Sequence, residues 1–190
     1  MVKFQSVSKS FEKKQILTDF SYQFKNTGLY AVTGASGIGK TTFLRLIAHL
    51  EKPDKGYIKS PTMVAYSFQE YRLFSNLTVF DNIKLVSFQH ANADNCALID
   101  EYLSRLLLLD EKNKYPHELS GGMKQRVSLI RAFVSTADVI LLDEPTKELD
   151  ENLSDLVVKI IQELSRTKLV IVSLHSSDFA QKIGAEVISL

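Results

Sequence analysis

The chain has 190 residues, 23 lysines and arginines against 22 aspartates and glutamates, 45% apolar residues and one cysteine. That balance excludes a disordered, collagen-like or disulfide-stapled polypeptide and fits a globular protein that buries roughly two-thirds of its unfolded surface. A formal charge of +1 gives no electrostatic case for nucleic acid or an anionic membrane as a bulk partner, because such partners leave a visible Lys/Arg excess.

Val2, Phe4 and Val7, then Ile16, Leu17, Phe20, Tyr22 and Phe24, alternate with polar residues up to the break at Asn26, Thr27 and Gly28. This pattern predicts antiparallel strands over residues 1 to 30 and no signal peptide. Leu29 to Thr33 is a short β-prone run. After Lys40, residues Phe43, Leu44, Leu46, Ile47 and Leu50 recur at helical spacing until Pro53 and Gly56 stop them. Tyr57 to Phe68 reads as one or two short strands around Pro61, and Gln69 to Thr78 as irregular. Val79 to about Asp110 reads as mostly helical, including the amphipathic run Ala97 to Leu109. Lys112 to Glu118 is a loop containing Pro116, and Ser120 is placed to cap a helix that runs to about Ser135. The remainder alternates: strand Val139 to Leu142, helix Glu151 to Ser165, strand Leu169 to Ser173, helix Asp178 to Ile183, strand Glu186 to Leu190. Strands apolar throughout and alternating with helices imply a parallel sheet covered on both faces. The longest apolar runs, Leu106 to Leu109 and Val139 to Leu142, are far shorter than the roughly 20 residues that span a bilayer. Cys96 has no second cysteine for a bridge or metal site, which suits a reducing, cytosolic setting.

Glycine is scarce, 8 residues in all, yet Gly34, Gly37, Gly39, Gly121 and Gly122 fall in two clusters. The first, Gly34, Ala35, Ser36, Gly37, Ile38, Gly39, Lys40 and Thr41, matches G-x-x-x-x-G-K-[ST] at every fixed position and lies between a predicted strand and a predicted helix. Glycines let successive N–H groups turn onto phosphate oxygens, and the helix start at Lys40, Thr41 and Thr42 adds its positive end. Lys40 then reaches the β- and γ-phosphates and the Thr41 hydroxyl ligates Mg²⁺. Asp143 emerges at the C-terminal end of the apolar strand that begins at Val139, where open parallel sheets bind ligands. It is placed to hold Mg²⁺ through water, and Glu144, the next residue, to orient or deprotonate an attacking water. The expected fold is an α/β P-loop NTPase: a mostly parallel sheet with flanking helices, an N-terminal antiparallel β subdomain and a helical lobe over about residues 70 to 135, all within one domain spanning 1 to 190.

The second cluster, from Pro116 through His117, Glu118, Leu119, Ser120, Gly121, Gly122, Met123, Lys124 and Gln125 to Arg126, resembles the signature motif of ATP-binding cassette (ABC) ATPases. Further resemblances come in that family's order. Gln69 is similar to the Q-loop glutamine, which contacts the metal and the attacking water. Leu149 and Asp150 resemble the D-loop. His175 resembles the switch histidine that contacts the γ-phosphate, and Phe11 stands where an aromatic stacks on adenine. The resemblance implies a head-to-tail pair, with a second copy or a homologous ATPase subunit, in which Ser120, Gly121 and Gly122 of one chain close over the γ-phosphate held by the other's Lys40. Where the family has small D-loop residues, this chain has Lys147 and Glu148.

Within the family the resemblance favours the ATP-hydrolysing subunit of a transporter, held on the cytoplasmic face of the membrane by separate permease subunits. Phe68, Gln69, Glu70 and the Pro116 to Arg126 stretch are similar to bacterial importers of nitrate, sulfonates and taurine. An exporter ATPase and a soluble ABC ATPase outside transport stay open as alternatives at this point. Tyr71, Leu73, Phe74 and Leu77, just after Gln69, are the candidates for a permease contact.

Overall fold

A computed structural model describes residues 1–12, 14–86 and 93–190. In chain order it contains β1 (Lys3–Phe11), β2 (Lys14–Gln23), β3 (Gly28–Thr33), α1 (Lys40–Ile47), β4 (Lys55–Lys59), β5 (Ala65–Ser67), α2 (Val79–Lys84), α3 (Ala93–Arg105), α4 (Gly121–Phe133), β6 (Val139–Asp143), α5 (Glu151–Ser165), β7 (Leu169–Leu174), α6 (Ser177–Lys182) and β8 (Glu186–Ser189). The alternating segments β1 and β2 join β4, which follows α1, in a three-stranded antiparallel sheet, β2-β1-β4, and the apolar β3, β6 and β7 join β5 and β8 in a five-stranded parallel sheet, β5-β6-β7-β3-β8.

Successive side chains of a strand point to opposite faces, and here both faces are apolar. Ala31, Ile140, Leu142, Val170 and Val172 pack with Val127 and Leu129 of α4, Val157 and Ile160 of α5, and Ala180 of α6. Their neighbours Tyr30, Val32, Leu141 and Ile171 pack instead with Phe43, Leu44 and Ile47 of α1 and with Phe4, Val7 and Phe24 of the antiparallel sheet. Two cores thus meet at one sheet, and β6 and β7 are apolar at every position except Asp143 and Ser173, which lie side by side.

Several boundaries differ from the expected ones. The periodicity after Lys40 reaches Leu50, but α1 ends at Ile47. His49 turns left-handed (φ 56°), its N–H donates to Leu46 O at 3.3 Å, and Leu50 N–H donates to Arg45 O at 2.9 Å. This paired closure stops a helix before any proline is reached. The helical stretch expected over 79–110 is divided between α2 and α3, and its part over 87–92 lies outside the described residues. In the expected loop 112–118, Pro116–Glu118 winds into a short 3-10 turn. Ser120 caps α4 as expected, its Oγ accepting from Met123 N–H at 3.3 Å.

The register brings distant sequence together. In the parallel ladder Thr33 lies beside Leu174, Asp143 beside Ser173 and Ser67 beside Leu142. The loop after β3, the acids ending β6, the residue after β7 and Gln69 after β5 therefore leave the sheet at the same edge.

Candidate nucleotide-binding site

The loop from Gly34 to Gly39 turns through left-handed backbone at Gly34, Gly37 and Gly39 (φ 146°, 71° and 128°). At Gly39 nothing larger fits, since a Cβ there would stand 2.2 Å from Ile16 Cγ2. Lys40, 5% exposed, folds back and donates to Gly34 O at 2.8 Å and Ala35 O at 3.1 Å. Ile38 closes the same turn through its N–H to Ala35 O at 3.2 Å. The first turn of α1, Lys40 to Thr42, presents N–H groups that have no acceptor within a helix. Phe11, Ser36, Gly37, Gly39, Lys40, Thr41, Thr42, Gln69 and Glu144 share one cleft of about 320 Å³ with Lys14 and Ile16.

Phe11, at the end of β1, is 44% exposed. The Lys9 ammonium stands 4.8 Å from its ring centroid. Lys9 is itself fixed by Glu51 at 2.9 Å, by Lys52 O at 2.9 Å and by Asp54 at 3.3 Å. One ring face of Phe11 thus meets a cation, and the residue lines the cleft.

Asp143 is 2% exposed. Ser173 Oγ donates to one of its oxygens at 2.6 Å, and Tyr66 OH stands 3.5 Å from the other. Burial first, then the Asp143 charge, pushes the Tyr66 hydroxyl far above its usual range, so it stays a protonated donor. Glu144 adopts a left-handed φ of 52°, a strained conformation of the kind found at functional sites. Its N–H donates to Ser173 Oγ at 2.9 Å. His175 Nε2 donates to its carboxylate at 2.7 Å, Lys147 Nζ stands at 3.6 Å and Gln69 Nε2 at 3.5 Å. A pocket of about 370 Å³ runs from Ser36 past Gln69, Glu144 and Lys147 to His175.

Thr41, Gln69 and Asp143 line a smaller cavity of about 50 Å³. A hydroxyl, an amide and one carboxylate are hard oxygen donors of the kind Mg²⁺ takes, with phosphate and water completing the shell. These residues fit the ion.

Ser120, Gly121 and Gly122 line none of these three pockets. Tyr71 and Glu148 of the same chain lie against Gly121. Asp150 also lines none of them, and its Oδ1 caps α5 by accepting from Leu153 N–H at 2.9 Å.

Three residues at the site escaped sequence reasoning, Lys14, Tyr66 and Ser173, while Lys147 stood out only as a departure from small D-loop residues. Of those three, only Ser173, a hydroxyl in an apolar strand, left a visible signal. Lys14 donates to Gly37 O, from a position with no local pattern.

Phosphate is the ligand that calls for a glycine turn, a helix start and a buried lysine at one place, and with the parallel sheet behind them they define a P-loop nucleoside triphosphatase. The sequence model of the family described as ABC transporter matches residues 17–147, and this chain belongs to that family. Among its relatives, the arginine transport ATP-binding protein ArtM of Bacillus subtilis (strain 168) is 33% identical, over 99% of this chain and 86% of its own length. The L-cystine import ATP-binding protein TcyN of the same organism is 32% identical, over 99% of this chain and 81% of its own. The sulfate/thiosulfate import ATP-binding protein CysA of Escherichia coli (strain K12) is 33% identical over 98% of this chain, which spans 56% of it. A dimeric ATP-binding cassette solved in a post-hydrolysis state with ADP and Pi superposes with a TM-score of 0.89 at 26% identity, covering 100% of this chain and 94% of that one. Two of these relatives are named as import ATP-binding proteins and one as a transport ATP-binding protein, in line with the resemblance to bacterial importers.

Proposed function

We propose that this chain is the ATP-binding and ATP-hydrolysing subunit of an ABC importer for a small solute. It works as a head-to-tail pair, with a second copy or a homologous subunit, on the cytoplasmic face of the membrane, where permease subunits hold it. The observation that carries the reading is the division of the site. Lys40, Glu144 and His175 converge on one edge of the sheet, while Ser120, Gly121 and Gly122 begin a helix that reaches none of that edge's pockets. A second anion-binding helix start that lines none of the nucleotide pockets of its own chain suits the nucleotide of a partner.

In this reading Phe11 stacks on the adenine, and the loop N–H groups and Lys40 take the β- and γ-phosphates. Thr41, Gln69 and Asp143 hold Mg²⁺, which when bound neutralises charge on the phosphates. Glu144 accepts the proton of the attacking water as ADP leaves. His175 and Lys147, both beside the Glu144 carboxylate, keep it aimed, and His175 stands ready to meet the γ-phosphate. Residues 1–190 act as one domain with a helical lobe at about 70–135, a view supported by the shared core of α2 to α4 and the parallel sheet.

No described helix is long and apolar enough to cross a membrane, and in this reading separate permease subunits supply the path. The segment after Gln69 suits their docking. Asn82, fully buried, donates to Phe74 O, Leu77 O and Thr78 O and accepts from Phe74 N–H. It thereby holds Phe74 52% exposed on an organised loop.

Two variants test the reading. Glu144→Gln is expected to bind ATP, hydrolyse it at least about 100-fold more slowly and accumulate as a dimer in light scattering. Lys40→Ala is expected to lose nucleotide binding. Equal ATP affinity in Lys40→Ala, or monomeric Glu144→Gln at saturating ATP and high protein concentration, would sink it.

A further inference from the structure

We infer that Glu148 gates the signature glycines: held by Tyr71, its carboxylate covers Gly121 in the separated subunit and must leave before a partner's γ-phosphate can reach the start of α4. This rests on the head-to-tail pairing proposed above.

The contact is close and specific. A Cβ added at Gly121 would lie 2.6 Å from Glu148 Oε2 and 3.2 Å from the Tyr71 hydroxyl, and one at Gly122 would lie 3.0 Å from Glu148 O. Residues 148 and 149 therefore rest directly on the two glycines, and any side chain at position 121 would displace them. The Tyr71 hydroxyl donates to Glu148 Oε2. That bond, followed by burial, pushes the tyrosine up to about 12, so the proton that forms the tie is present throughout the physiological range. Glu148 also holds a left-handed φ of 62°, a conformation that costs a bulky residue energy and needs support.

Charge gives the contact its consequence. The first turn of α4 contains no acidic residue of its own, and its N-terminal end favours an anion. Glu148 supplies one from another part of the chain. A γ-phosphate arriving at the same glycines meets a carboxylate of like sign in a closing, partly dehydrated interface, where such juxtapositions are unfavourable. Closure over ATP therefore requires Glu148 to swing out.

Its tie reports on a different place. Tyr71 lies two residues beyond Gln69, on the segment whose end is held by Asn82, and Arg131 of α4 donates to Arg72 O at 2.8 Å. Movement of that segment draws the hydroxyl from Glu148 and frees the glycines. Lys147, the adjacent residue, stands 3.6 Å from Glu144, so the same turn touches the hydrolytic acid of its own chain. The two positions where this chain departs from small D-loop residues are the two that make these contacts.

The test measures ATP-dependent dimerisation by analytical ultracentrifugation in the Glu144→Gln background. Glu148→Ala is expected to tighten the dimer about tenfold, equivalent to about 1.4 kcal/mol, and Glu148→Gln, which keeps the shape and loses the charge, to tighten it by a smaller factor. Tyr71→Phe is expected to tighten it weakly and to add nothing once Glu148 is Ala, since both changes release one contact. A purely structural role would weaken association or leave it unchanged. If the parent dimerises and Glu148→Ala and Glu148→Gln both dimerise no better, the gate is overturned while the pairing stands. A parent that stays monomeric overturns the pairing, and the gate with it.

Discussion

Ser173 holds both acids of the site at once. Its hydroxyl donates to Asp143 at 2.6 Å and accepts from the Glu144 N–H at 2.9 Å, so the carboxylate proposed to take the metal and the strained residue proposed to meet water share one fixed point. Hydrogen bonds to charged groups contribute about 1.5–3 kcal/mol, and if that is lost from the transition state the rate falls roughly tenfold to a hundredfold. Ser173→Ala is therefore expected to lower the hydrolysis rate by about that factor while ATP affinity changes little, since the Gly34–Lys40 loop is untouched. An unchanged kcat would remove Ser173 from the machinery. The glycine turn, Lys40, Thr41, Asp143 and Glu144 were legible because their spacing is local. Ser173 was not, because its role exists only once Asp143 and Ser173 fall side by side in a parallel ladder. Asp150 shows the reverse: its sequence context suggests a loop between protomers, and in the fold it also caps α5.

At the scale of elements, the end of β1 is tied to the chain that leaves α1. Lys9, buried at 7% exposure, bridges Glu51 and Asp54, and Asp54 also accepts from the Ser10 N–H at 2.7 Å and hydroxyl at 2.9 Å. The hydrogen bond that Lys9 donates to Glu51 holds the Lys9 ammonium above its usual range despite desolvation. Lys9 in turn lowers Glu51, and the Ser10 backbone lowers Asp54. A raised lysine stabilises the fold below its unfolded value, about 10.4, and loses that contribution as pH climbs through the higher folded value. Lowered carboxylates stabilise above about pH 4 and lose their contribution as pH falls through their folded values. The melting-temperature difference between wild type and Lys9→Met is thus expected to form a plateau from about pH 6 to 9 and to shrink on both sides. The same variant removes the cation from Phe11 and should raise the KM for ATP about two- to fivefold. A pH-independent difference would show that the bridge contributes through packing alone. Alternation disclosed β1 and β2, but the bridge joins residues more than forty positions apart, and no periodicity announces it. Helix ends were equally obscure: α1 stops through a left-handed His49, a backbone choice that its side chain does not advertise.

At the scale of the whole molecule, the near-zero net charge of +1 conceals two glycine-bearing helix starts whose N–H groups suit anions, one at the start of α1 and one at the start of α4. Sequence order made the fold class readable, since apolar strands alternating with helices leave few arrangements besides a parallel sheet with two covered faces. That the two glycine clusters belong to different clefts entered only through the family resemblance, and in the fold the start of α4 lines none of the pockets around Lys40. That separation has a consequence for mixtures. A chain with a broken cradle, Lys40→Ala, keeps an intact signature, and a chain with a broken signature, Gly121→Glu, keeps an intact cradle. Alone, each could form only a dimer in which both sites are defective, which ATP cannot close. Mixed, they form a heterodimer in which one site joins the good cradle to the good signature, and the other joins both defects. ATP should therefore drive association between differently tagged copies of the two variants, detected by co-purification, and neither variant should self-associate. Association without mixing would mean that one chain completes its own site. No association on mixing, with both variants folded by circular dichroism and Glu144→Gln dimeric as a control, would place the signature outside the nucleotide site. Chain-to-chain complementation thus distinguishes a site shared between copies from one that a single chain can assemble, a distinction that no measurement on a single variant makes.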